Sequence, residues 1–505
     1  MSQAKSLFGA QGIHAGRAGL TKAGCYNSRM FLSRRRTFPV IFLAFLFACT
    51  ALGAAQDSHS DAERLRTQAR VAASSGQWRE AAAIYTQALA LAPKDLSMRL
   101  ELGAAQVKAG LLTDAIKTYR ETLELSPRNL PAEIGLVQAY RAVHNYDAVK
   151  QYLDRARREH PQSPLPLSVL GDFEIELQTY NAAIGHLRAS LALDPANTNA
   201  RDLLAAAYKA KGDQMNALAQ LAKVLARDPQ DALAYFLRAE ISSDRNDDAL
   251  ALPDAEKVVE LQPQNARGRV ILAKVLLRYP ADAAPDQISV RCARAVAALE
   301  PLPEEQRSNS ETLFLLSRAY RCAGKEDRAQ QTLAAFEAVS ANERSTKENQ
   351  VQAKHLVQQA NELALKNDFS GAMDCLQQAL EKDPEYGAAY SQLAKLYYSA
   401  GDIEKASDAI AKAIERAPYE PDFLYVRGKI FEREGKLDEA LVDFEHAALL
   451  NPREADAYFE IGVISEQRHD RARALAAYKK AVELAPDDPD FRHALAAVSA
   501  ARPSQ

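Results

Sequence analysis

The chain has 505 residues, a net charge of -3, and 47% hydrophobic against 26% charged residues. This composition is typical of a folded protein and excludes a largely disordered chain. Because the net charge is close to zero, a global positive field for binding nucleic acid is also excluded.

The N-terminal segment, residues 1–55, has the order of features found in an export signal. Three arginines at 34–36 precede the apolar run 38–47, and small residues follow at 51–55. This order is typical of a secretory signal peptide, and the apolar run is short for a membrane span. We expect cleavage after Ala55 and an exported protein that is periplasmic, envelope-associated or secreted. The alternative is an N-terminal membrane anchor that is retained.

A second possibility for the same segment is lipidation of Cys49. The stretch from Leu46 to Cys49 resembles a bacterial lipobox, a motif whose cysteine carries the lipid. Phe47 departs from that pattern, because such motifs usually have a small residue at this position. A lipid anchor on Cys49 would attach the exported chain to a membrane surface without a spanning helix.

From residue 62 onward the sequence repeats with a period of 34. Prolines recur at 93, 127, 161, 195, 229 and 263, and again at 384, 418, 452 and 486. With proline as position 32 of each unit, position 20 is nearly always alanine, position 24 is mostly large, and positions 8 and 27 are small. Position 15 is often glycine. Small residues allow two helices to approach, glycine suits the turn between them, and proline ends the second helix.

These columns resemble the tetratricopeptide repeat, a helix–turn–helix unit of 34 residues, over about residues 62–486. The tryptophan column of that family is absent, since the single Trp78 lies at position 17. The resemblance implies an all-α fold, an α-solenoid wound as a right-handed superhelix of about 12 units, and a role in binding other proteins.

The repeats fall into blocks. Six regular units fill residues 62–265, two divergent units and a polar junction fill 266–352, and four regular units fill 353–486. Residues 487–505 are predicted to form a capping helix and tail, because Phe491, Leu495 and Val498 can cover the last apolar face.

Three smaller features are also predicted. The polar residues 341–352 are interpreted as the junction, helical in part. Residues 281–285 are expected to form an enlarged loop, with Pro285 opening the next helix. Pro253 lies inside the second helix of repeat six, which we expect to be shortened or kinked.

The sequence contains no recognisable motif for catalysis, cofactor binding or metal binding. The sequence has no HExxH, Walker-type, GxSxG or CxxC motif, so we expect no catalytic residues, no cofactor and no metal. Cys292 and Cys322 lie in successive divergent units. Two separate thiols are favoured over a disulfide, because Cys375 would remain as an odd cysteine.

The resemblance also implies which residues line a concave binding face, namely positions 2, 5, 9, 12 and 13 of each first helix. In repeats three to six these positions are mainly acidic (Asp172, Glu176, Asp202, Glu240, Asp244, against Arg141 and Lys209). In repeats seven to eleven they are mainly basic (Arg267, Lys274, Arg278, Arg318, Arg321, Lys354, Lys395, Lys429, Arg433, against Glu311, Asp422 and Glu432). A two-signed inner surface is therefore predicted, with an ordinary solvated face as the alternative.

The predicted partner-binding groove combines basic, aromatic and amide residues of this later stretch, a combination typical of interface anchors. Its members are Lys274, Arg318, Arg321, Asn361, Lys395, Tyr398, Tyr425, Lys429 and Phe459. We expect them to bind an acidic segment or a C-terminal carboxylate of a partner protein. The carboxylate clamp of some family members is absent, because Val357 and Asp422 stand where basic residues are needed.

The sequence therefore predicts a non-catalytic scaffold or adaptor of the cell envelope that binds other proteins in its concave groove. The alternative is an assembly or binding factor for exported polysaccharide.

Overall fold

The computed structural model describes residues 60–279 and 284–500. Every regular element within these ranges is a helix, in agreement with the predicted all-α solenoid. The export segment and Cys49 lie outside the described residues, as do residues 280–283 of the predicted enlarged loop. None of the described helices is both long enough and apolar enough to cross a membrane.

The first six repeats are regular pairs of helices joined by short turns. Each pair consists of a first and a second helix, and short connections between packed helices make neighbours antiparallel. The helices are α1 (residues 60–74), α2 (Trp78–Leu91), α3 (Leu96–Ala109), α4 (Leu112–Leu125), α5 (Leu130–Ala142), α6 (Tyr146–Glu159), α7 (Leu165–Glu176), α8 (Tyr180–Leu193), α9 (Thr198–Lys211), α10 (Gln214–Arg227), α11 (Ala232–Asp244) and α12 (Asp248–Leu261).

The divergent middle and the last four repeats follow. They comprise α13 (Ala266–Leu276), α14 (Pro285–Leu299), the short α15 (Glu304–Arg307), α16 (Ser310–Cys322), α17 (Glu326–Leu365), α18 (Phe369–Lys382), α19 (Gly387–Ala400), α20 (Ile403–Arg416), α21 (Pro421–Arg433), α22 (Leu437–Leu450), α23 (Ala455–Gln467), α24 (Arg471–Leu484) and α25 (Pro489–Ala500). Phe491 and Val498 of α25 are buried, so α25 is the predicted capping helix. Pro285 opens α14 as predicted. Helix α12 keeps 14 residues despite Pro253, so it is not shortened.

The turn between the two helices of a repeat requires a left-handed residue at position 15. Glycine supplies it at Gly110 and Gly212, with φ of 75° and 86°. Where the column departs from glycine the conformation persists, as at His144 (φ 57°) and Gln178 (φ 60°). The turn geometry is therefore imposed by the packing of the two helices, and glycine is the residue that meets it with least strain.

The small-residue columns bring helices into contact around a large residue. Tyr119, at position 24 of repeat two, is buried between the first helices of its own repeat and the next. A Cβ atom at either Gly103 or Gly135 would overlap the ring of Tyr119. Replacing either glycine would thus force the helices apart, which explains why position 8 is small.

Helix α17 interrupts the solenoid. It runs for 40 residues, joining the second helix of repeat eight to the first helix of repeat nine without a turn. Its buried residues are Ala329 and, after a long gap, Ala353, Val357 and Ala360. At 1.5 Å per residue, the 24 steps from Ala329 to Ala353 span about 36 Å. The polar residues 341–352 are helical throughout, because proline and glycine are missing and Ala341 occupies the position where other repeats carry proline.

Cys292 of α14 and Cys322 of α16 form a disulfide bond, with their Cα atoms 5.7 Å apart. The expectation of two separate thiols is wrong. Helix α14 packs directly on α16, which brings the two Cα atoms within the range that a disulfide needs. Cys375 remains the free cysteine of the described residues.

Candidate functional site

The first helices form the inner side of the solenoid. Successive first helices pack on one another, with α7 on α9, α9 on α11, α11 on α13 and α13 on α16. Successive second helices do not pack closely in the described part. A stack curves toward the side on which its elements lie closer, so the first helices line the concave face, as the family resemblance implies.

In repeats three to six, the concave charges pair across neighbouring repeats. Arg141 Nη1 lies 2.6 Å from an oxygen of Asp172, and its Nε contacts Glu176. Lys209 Nζ lies 2.7 Å from Glu240. The predicted acidic stretch is therefore partly neutralised by basic side chains one repeat earlier.

Where the acidic and basic stretches meet, each supplies partners to the other. Arg267 Nη2 lies 3.6 Å from Glu240 and its guanidinium lies over the ring of Phe236 at 4.8 Å. Lys274 Nζ is 3.9 Å from Asp244. Arg278 Nη1 donates a 2.6 Å hydrogen bond to the carbonyl oxygen of a serine in repeat six. These basic residues thus bridge repeats six and seven.

The later basic residues are paired as well. Lys395 Nζ lies 2.8 Å from Asp422 of the next repeat. Lys429 Nζ lies 2.9 Å from Glu460 of the next repeat, and the hydroxyl of Tyr425 donates to the same carboxylate over 3.4 Å. Three predicted groove residues, Lys395, Tyr425 and Lys429, therefore lie in contacts that join repeats.

The predicted aromatic residues divide between two environments. Tyr398 is half-buried, with the guanidinium of Arg433 over its ring at 5.7 Å. Phe459 stacks on Phe491 of the capping helix at 4.9 Å and also contacts Tyr478 at 5.6 Å. Phe459 thus packs under the cap, which sequence spacing alone did not indicate.

Helix α16 carries exposed groove residues that lack carboxylate partners. Phe314 is 42% exposed, and Arg318 lies over its ring at 5.8 Å. Arg318 and Arg321 are exposed, and neither forms an ion pair within the described residues. Spacings of four and seven residues place the three side chains on one helix face. We call Phe314, Arg318 and Arg321 the α16 patch.

Phe314 packs on Phe336 of α17 at a ring-centroid distance of 5.4 Å, and the course of α17 explains why Arg318 and Arg321 have no carboxylate partner. Lys209, Lys395 and Lys429 each pair with an acidic residue of the following first helix, whereas Arg267 and Lys274 pair with the preceding one. The first helix of repeat nine is the C-terminal end of α17. Because α17 continues without a turn after repeat eight, this end does not fold back to pack beside α16. That far end exposes Asn361 and Leu365, the latter to 85%.

Two buried ion pairs were missed by the sequence analysis. Arg238 pairs with Asp254 at 2.6 Å in repeat six, and Arg427 pairs with Asp443 at 2.7 Å in repeat eleven. Both join position 7 of a first helix to position 23 of the second. The signal was an arginine at position 7, which is otherwise mostly leucine, with an aspartate 16 residues later.

A contact between distant repeats was also missed. The hydroxyl of Tyr140 donates to the carbonyl of Leu449 over 3.1 Å, and Asn145 Nδ2 donates to the carbonyl of Leu450 over 2.6 Å. The hydroxyl of Tyr419 donates to the carbonyl of Gly110. Repeats two and three thus meet repeats ten and eleven, with helix α22 packed on helix α4 and one apolar core running across the contact.

Comparison with protein families identifies the repeats. Two models described as tetratricopeptide repeat match the chain, one at residues 107–171 and 363–430, the other at 66–129, 203–266 and 425–489. No curated protein sequence matches the chain.

Three solved structures are similar in part. The APC/C hetero-tetramer Cut9–Hcn1 is 14% identical, covers 89% of this chain and 92% of its own, and has a TM-score of 0.32. A tetratricopeptide repeat protein from Parabacteroides merdae is 20% identical, covers 52% of this chain and 99% of its own, and has a TM-score of 0.38. MamA is 22% identical, covers 28% of this chain and 81% of its own, and has a TM-score of 0.26. At these values none of the three bears on what the chain binds.

Proposed function

Because the chain belongs to the tetratricopeptide repeat family, a fold of protein-interaction scaffolds, we propose that it is a non-catalytic adaptor whose binding centre is the α16 patch. The occupant is an acidic, extended segment of a partner protein. Such a segment would bring carboxylates to Arg318 and Arg321 and an apolar side chain to Phe314.

The observation that supports this centre is that the next first helix, in repeat nine, does not pack beside α16. Lys395 and Lys429 already have carboxylate partners in the next repeat. An acidic ligand would have to displace those partners, which offsets much of its gain. Arg318 and Arg321 have no carboxylate partner in the described chain, where Arg318 Nη2 donates a long hydrogen bond of 3.4 Å to the carbonyl of Leu277. An acidic ligand would therefore gain charge-assisted hydrogen bonds without displacing a carboxylate.

Exposed residues also lie on the other side of the interruption, at the far end of α17. Asn361 and Leu365 of α17 stand at positions 9 and 13 of repeat nine, and Leu365 is 85% exposed. An exposed leucine of this kind adds apolar contact area at low entropic cost to a partner segment. The segment would therefore bridge the gap that α17 leaves between repeats eight and nine.

We also propose that the adaptor works outside the cytoplasm, in the cell envelope. The signal-like order of residues 34–55 supports export. The disulfide between Cys292 and Cys322 supports the same placement, because such bonds persist in oxidising compartments. Fractionation of cells, with mass mapping of the N-terminus and of Cys49, tests export, cleavage and lipidation together. A chain with residues 1–55 intact in the cytoplasm would contradict the proposal.

Charge reversal tests the binding centre. Partners are first identified by cross-linking and affinity purification from envelope fractions. The variant Arg318→Glu/Arg321→Glu is then compared with Arg158→Glu/Lys479→Glu, which makes the same charge change on exposed second helices. We expect the α16 variant to lose the partner and the control to keep it.

Salt dependence separates this proposal from sugar binding. Binding through two arginines should weaken between 50 and 200 mM salt, whereas stacking of sugar on aromatic rings should not. Equal partner binding by both double variants would place the binding centre elsewhere on the chain.

A further inference from the structure

A buried group of two carboxylates and one imidazole lies in repeat three. Glu133 is in the first turn of α5, Glu159 is the last residue of α6, and His160 caps that helix. Glu133 is completely buried. One ligand atom from each of the three residues lies within 4.8 Å of the others. We call these residues the Glu–Glu–His cluster.

The atoms that meet in this cluster have no hydrogen-bond partners. Oε2 of Glu133, Oε2 of Glu159 and Nε2 of His160 are buried without one. Buried polar atoms are nearly always satisfied, and an ion is one of the standard reasons when they are not. These three atoms bring two carboxylate oxygens and one imidazole nitrogen into one small volume.

Arg155 holds the carboxylates from the other side. Its Nε donates to Oε1 of Glu159 over 3.0 Å and lies 3.0 Å from Oε1 of Glu133. Its Nη2 donates to the carbonyl of Pro127 over 2.6 Å. The arginine is therefore fixed behind the Oε1 atoms. The Oε2 atoms and the imidazole nitrogen are left facing each other.

Repeat two shows what the fold itself requires at this place. There Arg99, at position 4, pairs with Glu121, at position 26, over 2.8 Å and donates to the preceding proline carbonyl. Repeat three exchanges the two charges, with Glu133 at position 4 and Arg155 at position 26. One carboxylate and one guanidinium complete the pair in both repeats. The fold therefore does not account for the additional carboxylate and imidazole of repeat three.

The added groups give the cluster an excess of negative charge. Two carboxylates and one guanidinium sum to a single negative charge while the imidazole is neutral. Glu133 is completely buried, and burial of a negative charge without full compensation is unfavourable. A bound cation would stabilise the ionised carboxylates in this setting.

We propose that the Glu–Glu–His cluster is a binding site for a divalent transition metal of the Zn²⁺ class. Oε2 of Glu133 and Nε2 of His160 are 3.5 Å apart. Two ligands of a tetrahedral zinc, each at about 2.0–2.2 Å from the ion, lie about 3.3–3.6 Å apart. The imidazole selects Zn²⁺ over Ca²⁺ and Mg²⁺, which prefer sites made of oxygen alone. Three protein ligands leave the fourth position to water.

The metal would cross-link the two helices of repeat three. Glu133 belongs to the start of α5, whereas Glu159 and His160 belong to the end of α6 and its connection to α7. One ion would therefore fix both ends of the helix pair. The same repeat carries Tyr140 and Asn145, which make the contact with the last block.

The test uses the tag-free full-length protein and Zn²⁺ alone. Titration calorimetry should give one Zn²⁺ per chain, and Zn²⁺ should raise the Tm. The variants Glu159→Gln and His160→Gln change half-exposed residues at a helix end and should lower the Zn²⁺ affinity by about 100-fold or more, since even loss of an outer-shell partner costs 10–100-fold. His186→Gln is the matched control, because His186 contacts a single glutamate, Glu174, at 2.8 Å.

Three outcomes would overturn the proposal. The first is no Zn²⁺ uptake at micromolar concentration, as expected if Glu133 and Glu159 simply share a proton. The second is an affinity unchanged in both variants while circular dichroism shows them folded. The third is Ca²⁺ binding as tight as Zn²⁺ binding, which would mean an acidic cluster without a role for the imidazole.

Discussion

Tyr140 of repeat three donates a hydrogen bond to the backbone carbonyl of Leu449 in repeat eleven, across 309 residues of sequence. The first and last blocks of repeats are therefore connected twice. They touch at the Tyr140 contact, and the chain also joins them through the divergent repeats and α17. Two connections restrain the blocks more strongly than one helix would.

Tyr140→Phe should loosen the contact between the blocks. The ring stays packed against Tyr152, at a centroid distance of 5.6 Å, but the carbonyl of the half-buried Leu449 loses this donor. The expected loss is about 1 kcal/mol in the free energy of unfolding, measured with urea. Tyr208→Phe, in the same column of repeat five, is the control and should change stability less. Equal losses in the two variants would contradict a specific role for the Tyr140 contact.

Glu101 should make stability depend on pH in the acid range. Desolvation alone would raise the pKa of its carboxyl, but hydrogen bonds from Arg70 and Arg66 outweigh it and lower the pKa to about 2. A lowered pKa in the folded state contributes stability above the ordinary value near 4.5, and this stability is lost as the pH falls toward 2. In Glu101→Gln, the unfolding free energy should therefore fall less steeply between pH 5 and pH 2 than in the wild type. Glu124→Gln, an exposed change on α4, should keep the wild-type slope.

The buried pair of Arg427 and Asp443 should tolerate loss of both partners better than loss of one. Asp443→Ala leaves the guanidinium without its carboxylate, and we expect a loss of about 3 kcal/mol, since Arg427 is about one-third exposed. The double variant Arg427→Leu/Asp443→Ala copies Leu393 and Ala409 of repeat ten. It should recover most of that loss in a urea titration. A double variant no more stable than Asp443→Ala would show that the pair is needed for packing.

The fold could be predicted from the sequence because each repeat is specified locally. The prolines that end second helices, the small residue at position 8 and the left-handed position 15 act within one repeat or between neighbours. Phe491 and Val498 indicated the capping helix because they, too, contact only the neighbouring repeat. The contact of Tyr140 with Leu449 could not be predicted, since it depends on how curvature accumulates over eight repeats.

The candidate site was predicted only in part. The repeat positions predicted that Arg318 and Arg321 lie on the concave face. They predicted the same for Lys395 and Lys429, and they did not show which of these four residues have carboxylate partners. The difference arises because a charge on one first helix is neutralised by an opposite charge on an adjacent first helix, as Lys395 is by Asp422 and Lys429 by Glu460. Sequence by itself determined the repeat, its helices and the residues of the inner face. Tertiary structure decided which of those residues lack a carboxylate partner, because the uninterrupted α17 leaves α16 without a following first helix packed beside it.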